Sequence, residues 1–431
     1  MVIISNFIKL LSFISFSYAV DIWGPVKQSD GIGQIAIGIF EAIKHKIKTS
    51  VYTQEPSLEN LSDELSKNIL LNSKNIFNTN VLNTDLLFFT YFAPWYDFHL
   101  CEEKLDNYAI KIACSLFETD YLPESWVSVL NKFDLIIVNC NWLIDVYYKS
   151  GVNVPIYNLN IPLPTKDLVQ KNINKSSNKF VFGMTAGPWR RKNHIKLIEA
   201  FNKNFKDNNN VSLKIHIRSL YEFSSTDPQS FLSNPIHAFA WRHVTNYCNE
   251  IKKLVSNTPN IEIIGDSLTR KDYIEFISSL DCLVLPSSAE GFSIAPREAL
   301  ALGIPTIISN NTAHLDLANN PGVLFIPSEN EIPAVADFDG LKFGMQYDLN
   351  VEDISICLKK MYDNYSFYKE AALKNNCESL KLSFSSLTND YLTLIEPNQI
   401  ILSNENKIDS INKILYTSSK ALFEKYNKVI K

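Results

Sequence analysis

Short apolar runs alternate with amphipathic, helix-period stretches along almost the whole chain, and that alternation is the mark of βαβ units laid on a parallel sheet. In the first half the runs predict strands near 18–23, 47–52, 85–91, 110–116, 134–139 and 155–160. The clearest is Phe133-Asp134-Leu135-Ile136-Ile137-Val138-Asn139, with a wholly apolar centre, followed by a helix through Ser150 that Gly151 stops. Between 162 and 178 the chain carries two prolines and then a Lys/Asn/Ser run, the composition of an interdomain linker. An apolar strand starts again at Phe180, and the second half predicts strands near 180–184, 211–217, 261–264, 282–285, 305–308 and 323–326. The fold expected is α/β, with two Rossmann-like domains of parallel sheet facing each other across a cleft. Residues 1–165 form the first, 166–380 the second, and 381–431 a helical segment returning toward the first.

A chain of 431 residues, 46% hydrophobic and 20% charged, has material for two cores, and its net charge of -5 gives no general attraction to nucleic acid. The seven cysteines are scattered, and Cys114, Cys140 and Cys282 sit inside apolar runs as small hydrophobes, which points to a reducing cytoplasm. With no CxxC and no His/Cys cluster, no metal site is expected. The first 17 residues imitate a signal peptide, but Lys9 interrupts the apolar run and no basic stretch precedes it, so residues from Val20 read as the first core strand.

Two segments fall outside the alternation. Residues 219–247 hold Tyr221, Phe223, Phe231, Phe239 and Trp241, and read either as a self-packed loop or as a cap on the cleft. The basic tail from 403 to 431, with apolar residues at helical spacing, reads either as a helix packed on the protein or as one lying on a membrane surface.

Most of the chemistry lies in Glu290-Gly291-Phe292-Ser293-Ile294-Ala295-Pro296-Arg297-Glu298, between the apolar runs at 282–285 and 304–308. Pro296 suits the first position of a helix, which places Glu298 in the first turn with Glu290 before the loop. Acids near a helix start gain about 0.3–1 kcal/mol from its dipole, so part of this arrangement needs no ligand. A capping box would need Ser or Thr where Ala295 stands, which leaves the Glu298 carboxylate open to a ligand. A carboxylate suits the two hydroxyls of a ribose, and the N–H groups of Gly291, Phe292 and Ser293 suit a phosphate.

This segment resembles the E-x7-E signature of the family-4 retaining glycosyltransferases, which have the GT-B fold. The resemblance implies that Glu290 contacts the donor sugar and Glu298 the nucleotide ribose. It also implies a Lys and an Arg that neutralise the departing diphosphate, here Lys192 with Arg190 or Arg191 in Trp189-Arg190-Arg191-Lys192-Asn193-His194; Met184 stands where the family often has its Arg. In Phe117-Glu118-Thr119-Asp120-Tyr121-Leu122-Pro123-Glu124-Ser125-Trp126, similar to a segment in part of the family, Glu118 and Asp120 read either as cleft-facing acids that could accept the acceptor's proton or as a plain acidic loop. Gly31 and Gly33 would bring backbone close to the donor diphosphate, and Gly265, Ser267 and Leu268 would bind the base. Asp337-Phe338-Asp339, the metal-binding pattern of the other main glycosyltransferase fold, falls too late in the chain and reads as surface acids.

The activity implied is a retaining, metal-independent hexosyltransferase. It would move a sugar from a nucleoside diphosphate sugar to a hydroxyl of a glycan, a lipid-linked or another acceptor. The second domain would bind the donor and the first the acceptor, in the cytoplasm or at the inner face of a membrane, with a role in cell-surface polysaccharide or lipopolysaccharide assembly. No cofactor is expected. Two alternatives share the nucleotide site: a GT-B enzyme without an acceptor, such as a sugar-nucleotide epimerase, and a catalytically silent interaction protein.

Overall fold

Strands form wherever the apolar runs predict them. The computed structural model describes residues 19–26, 31–53, 73–75, 84–90, 103–168, 179–218, 220, 235–256, 258–335 and 342–395. The readings on 1–18, 27–30, 169–178, 221–234, 336–341 and 403–431 lie outside the described residues.

In the first domain β1 (Ala19–Trp23), β2 (Lys48–Thr53), β3 (Ser73–Asn75), β4 (Thr84–Phe89), β5 (Tyr108–Cys114), β6 (Leu135–Val138) and β7 (Ile156–Asn158) make one sheet in the order β3-β2-β1-β4-β5-β6-β7. All pairings are parallel. Helices α1 (Gly31–Ile43), α2 (Glu124–Leu130) and α3 (Asn141–Ser150) cover it. One face buries Val20, Ile22, Ile39, Phe40 and Phe88, and the other Trp23, Leu87, Trp126, Val138 and Leu143. Each fully buried side chain of this kind contributes roughly 1.5–3 kcal/mol, and a strand buried on both faces needs the unbroken apolar run seen in β6. Gly151 ends α3 at φ 103, where its lack of a Cβ matters.

The second domain repeats the plan with β8 (Phe180–Ala186), β9 (Val211–Ile217), β10 (Ile261–Ile264), β11 (Cys282–Leu285), β12 (Thr306–Ser309) and β13 (Val323–Ile326), ordered β10-β9-β8-β11-β12-β13 and again parallel. Its helices are α4 (His194–Phe205), α5 (Pro235–Val255), α6 (Arg270–Ser278) and α7 (Ile294–Ala301), followed later by α8 (Val351–Asp363), α9 (Tyr365–Lys374) and α10 (Asn376–Leu380). Much of the segment expected as an aromatic insertion is the start of α5, whose Val244, Tyr247, Cys248 and Ile251 sit in the core. An antiparallel hairpin, β14 (Asn330–Val335) with β15 (Lys342–Asp348), follows β13.

After α10 the chain crosses back. Helix α11 (Phe384–Ile395) lies on α1, with Tyr391 in the first domain's core and the Thr388 hydroxyl donating to Ala42 O at 2.8 Å. Beside this return, Leu163 and Ser383 form a parallel bridge, and the Leu163 N–H donates to Leu382 O at 2.7 Å. No helix among the described residues is long and apolar enough to cross a membrane.

Candidate active site

A cavity of about 270 Å³ opens between the domains at the carboxyl ends of the strands, lined from both sides. The strand order reverses beside β1 and again beside β8, and such switch points are where open α/β sheets leave room for a ligand. Among the residues expected at a site, Gly31, Glu118, Arg191, Lys192, Leu268, Glu290, Gly291, Phe292, Ser293 and Glu298 line it.

The loop from 286 to 294 is held at several points. Ser293 sits at φ 65, and its side-chain Oγ meets His314 Nε2 at 2.9 Å. Nδ1 of His314 lies 3.2 Å from Ser309 O, and since a carbonyl only accepts, Nδ1 carries the proton and Nε2 accepts from the Ser293 hydroxyl. The Glu290 N–H donates to Thr312 Oγ1 at 2.9 Å. Phe292, 2% exposed, pushes its ring into the first domain's core, where the Arg297 guanidinium stacks on it at 4.1 Å. Among the described residues, the N–H groups of Gly291, Phe292 and Ser293 donate to no other protein group.

The turn at Ser293 starts α7 at Ile294, two residues before the expected Pro296, and Glu298 therefore lies in the second turn. Pro296 becomes the third helical residue, where an N–H would still lack an intrahelical partner.

Beside this loop, the 3-10 turn Arg190–Lys192 is tied on by Ser288 N–H to Arg191 O at 2.7 Å and by Asn193 Nδ2 to Pro286 O at 2.8 Å. That clasp brings Lys192 Nζ onto Glu290 Oε1, with Arg191 Nη1 3.6 Å from Oε2. Glu290 is 4% exposed. Burial alone would raise its carboxyl, but Lys192 and then Arg191 outweigh that and hold it at about 2. Arg191 also donates to Ala289 O at 2.9 Å and reaches across the cleft to Glu118 at 2.8 Å. The result is a four-charge chain, Glu118, Arg191, Glu290 and Lys192, that spans both domains.

The expectation that Glu298 is unengaged does not hold. Its side chain is 1% exposed, Arg270 Nη1 donates to Oε1 at 2.5 Å, and the Tyr273 hydroxyl donates to Oε2 at 2.7 Å. No side chain caps this helix start, yet a partner 28 residues away claims the carboxylate. Arg270 and Tyr273 line the cavity, as do His216, Arg218 and Thr185, none of which the sequence signalled, and Trp189, which opens the basic segment it did. A basic residue at the start of a helix looks like an unfavourable surface position, and its pairing with Glu298 across 28 residues is what a local reading misses.

Five other expected residues lie off the cavity wall. Asp120 accepts from the Met345 N–H at 2.6 Å and pairs with Lys149 at 3.1 Å, which fastens β15 to the first domain and uses the carboxylate there. Arg190 turns outward over the Tyr247 ring at 4.8 Å, toward Glu250 at 3.7 Å. Gly33 lies inside α1, because the helix begins at Gly31 where a loop was expected, and of the two glycines Gly31 meets the cavity and Gly33 does not. Gly265 and Ser267 also miss it; the chain between them uses Asp266 O to hold His216 Nε2 at 3.1 Å. Strand β8 runs on to Ala186, two residues past the expected 184, which leaves Gly183 in its interior: a Cβ there would come within 2.3 Å of Leu280.

Buried histidines give the site a pH signature. Burial, reinforced by Arg218 at one and Lys192 at the other, lowers His216 and His314 to about 4. An unfolded chain takes up those protons near pH 6.5 while the folded chain refuses them, so each ring removes up to about 1.4 kcal/mol per pH unit as pH falls from 6.5 toward 4. The urea midpoint is expected to fall steadily from pH 7 to pH 5; an unchanged midpoint over that range contradicts the assignment. Among the described residues no group of three or more His, Cys, Asp or Glu could hold a metal ion.

Comparison with known proteins bears on this geometry. Residues 165–337, which include Lys192 and both glutamates of the loop, match the family model "Glycosyl transferases group 1". "Uncharacterized glycosyltransferase 335" of Sulfolobus islandicus rod-shaped virus 1 is 23% identical over 233 residues, 54% of this chain and 60% of that protein, so the chain spans about three fifths of that relative's length. Anabaena Alr3699/HepE, solved in complex with UDP and glucose, superposes with a TM-score of 0.64 at 10% identity over 88% of this chain and 100% of that one. Sucrose-phosphate synthase from Thermosynechococcus elongatus gives a TM-score of 0.64 at 11% identity over 90% and 100%. These likenesses give the architecture, a GT-B fold, in which residues 165–337 are similar to the glycosyl transferases group 1 model.

Proposed function

We propose that the protein is a retaining, metal-independent glycosyltransferase that moves a hexosyl group from a nucleoside diphosphate sugar to an acceptor hydroxyl. The observation that carries this reading is the convergence of Glu290, Glu298, Lys192 and Arg191 on one interdomain cavity beside three N–H groups that no group among the described residues uses. Breaking the bond between sugar and diphosphate puts negative charge on the diphosphate and positive charge on the ring. Lys192, Arg191 and the loop N–H groups stabilise the first charge from fixed positions, which is worth most where water is excluded.

Glu290 orients the sugar through its hydroxyls, and Glu298 takes the ribose. Neither glutamate serves as the base: Glu290 is held ionised by two cations, and a carboxyl near 2 is a weak proton acceptor. Glu118 is tied to Arg191, so the acceptor's proton goes to the leaving diphosphate. The acceptor, a glycan or lipid-linked hydroxyl, approaches from the first domain's side of the cavity. A UDP-sugar is the first donor to try, since a protein of the same fold binds UDP and glucose. Assembly of a surface polysaccharide is the setting in which such a reaction fits.

The test is a panel of UDP-, GDP- and ADP-sugars, read as released nucleotide with and without acceptor, in the presence of EDTA. At least one donor is expected to turn over, with the anomeric configuration kept in the product by NMR. Glu298→Ala should lower donor turnover by about 10–100-fold, through two lost charge-assisted hydrogen bonds offset by bound water. Release from none of the donors, or normal turnover by Glu298→Ala, rules the reading out.

A further inference from the structure

Glu298 reaches the cavity from α7, yet what aims it comes from α6. Arg270 and Tyr273 stand three apart on that helix, on one face, and each holds one carboxylate oxygen. Arg270 does more than balance a charge. Its Nη2 donates to Pro164 O at 3.4 Å and its Nε lies 3.7 Å from Asp167, so one planar group joins Glu298 to the segment that links the domains. A carboxylate has acceptor sites for about four hydrogen bonds, and these two partners use one on each oxygen. The sites left over are one per oxygen, on a group that lines the cavity. Two acceptors on adjacent oxygens match two neighbouring hydroxyls.

Resting on the donor-site reading above, we propose that Arg270 and Tyr273 are positioning residues that set the Glu298 carboxylate for the 2′ and 3′ hydroxyls of the donor's ribose. Through them the site discriminates between a ribonucleotide and its dideoxy counterpart. Neither residue touches the diol. Their effect passes through the orientation of Glu298, and they matter only to a ligand that has hydroxyls to offer. A purely structural role would instead weaken every nucleotide by the same factor.

The experiment is calorimetric titration of the full chain with UDP and with 2′,3′-dideoxy-UDP. The unaltered chain is expected to bind UDP at least about tenfold more tightly, because a site built around a hydroxyl is left unpaired by the analogue lacking it. Tyr273→Phe keeps the ring and removes the hydroxyl; it should weaken UDP about five- to tenfold, leave the dideoxy analogue within twofold, and collapse the ratio. Arg270→Lys keeps the charge but loses the fork, and is expected to do the same, so the result does not depend on one variant folding. Equal weakening of both nucleotides in both variants, or no preference for UDP in the unaltered chain, overturns the inference while leaving the donor site standing. Failure of the unaltered chain to bind UDP, GDP or ADP at all overturns the donor-site reading itself.

Discussion

Alanine in place of Lys192 is expected to lower donor turnover by about 10²–10³-fold, the loss typical of one fixed group that stabilises charge in a transition state. The ammonium lies at the cavity wall against Glu290, tied in place by the clasp between the β8 and β11 loops. When the diphosphate departs, Lys192 is the cation best placed to receive its charge, because Arg191 is already divided among Ala289 O, Glu118 and Glu290. Removing it also leaves Glu290 buried with Arg191 alone at 3.6 Å, and breaking a buried pair from one side costs roughly 3–5 kcal/mol. The measurement is single-turnover release of nucleotide at saturating donor, on protein whose near-ultraviolet circular dichroism matches the unaltered chain. Lys192→Arg should recover part of the rate. Turnover within a few-fold of normal in the alanine variant counts decisively against a leaving-group role.

Phe292→Ala should cost about 3–5 kcal/mol of stability and most of the activity with it. The ring belongs to the second domain's loop yet is buried in the first domain's core, under the Arg297 guanidinium. Truncation opens a cavity at the domain interface and strips the stacking partner from a buried cation. Glu290 lies two residues away, so the loop that carries it loses its anchor. Phe292→Leu fills most of the space and should restore most of both properties. Urea unfolding, with turnover measured on the same preparations, decides the matter, and an unchanged midpoint in the alanine variant excludes the anchoring role.

The strands were legible because burial on both faces demands unbroken apolar runs, and β6 and β11 have them, while β9 shows the alternation of a half-buried strand. Strand β3 and the β14–β15 hairpin escaped. Strand β3 is only Ser73-Lys74-Asn75 at a sheet edge, with nothing apolar to mark it, and β14 carries Pro333, which reads as a break. The glutamates of the loop stood out through their spacing and flanks, and the structure brings Glu118, Arg191 and Lys192 to them. What the sequence did not carry is pairing at long range. Arg270 holding Glu298, and Met345 taking up Asp120, join residues 28 and 225 positions apart, and no local pattern encodes either. Arg190 and Arg191 are chemically alike and adjacent, and only the direction of a 3-10 turn separates the one that faces the cavity from the one that faces solvent.

The paired crossings at Leu163 and Ser383 decide how the cleft can move. A single connecting strand would let the domains swivel and slide as well as open. Two strands side by side, bonded to each other, bend together about one line and resist shear and twist, as the two leaves of a door share one pin. Opening about that line would part Arg191 from Glu118, and closing about it would bring the two back to the contact seen here.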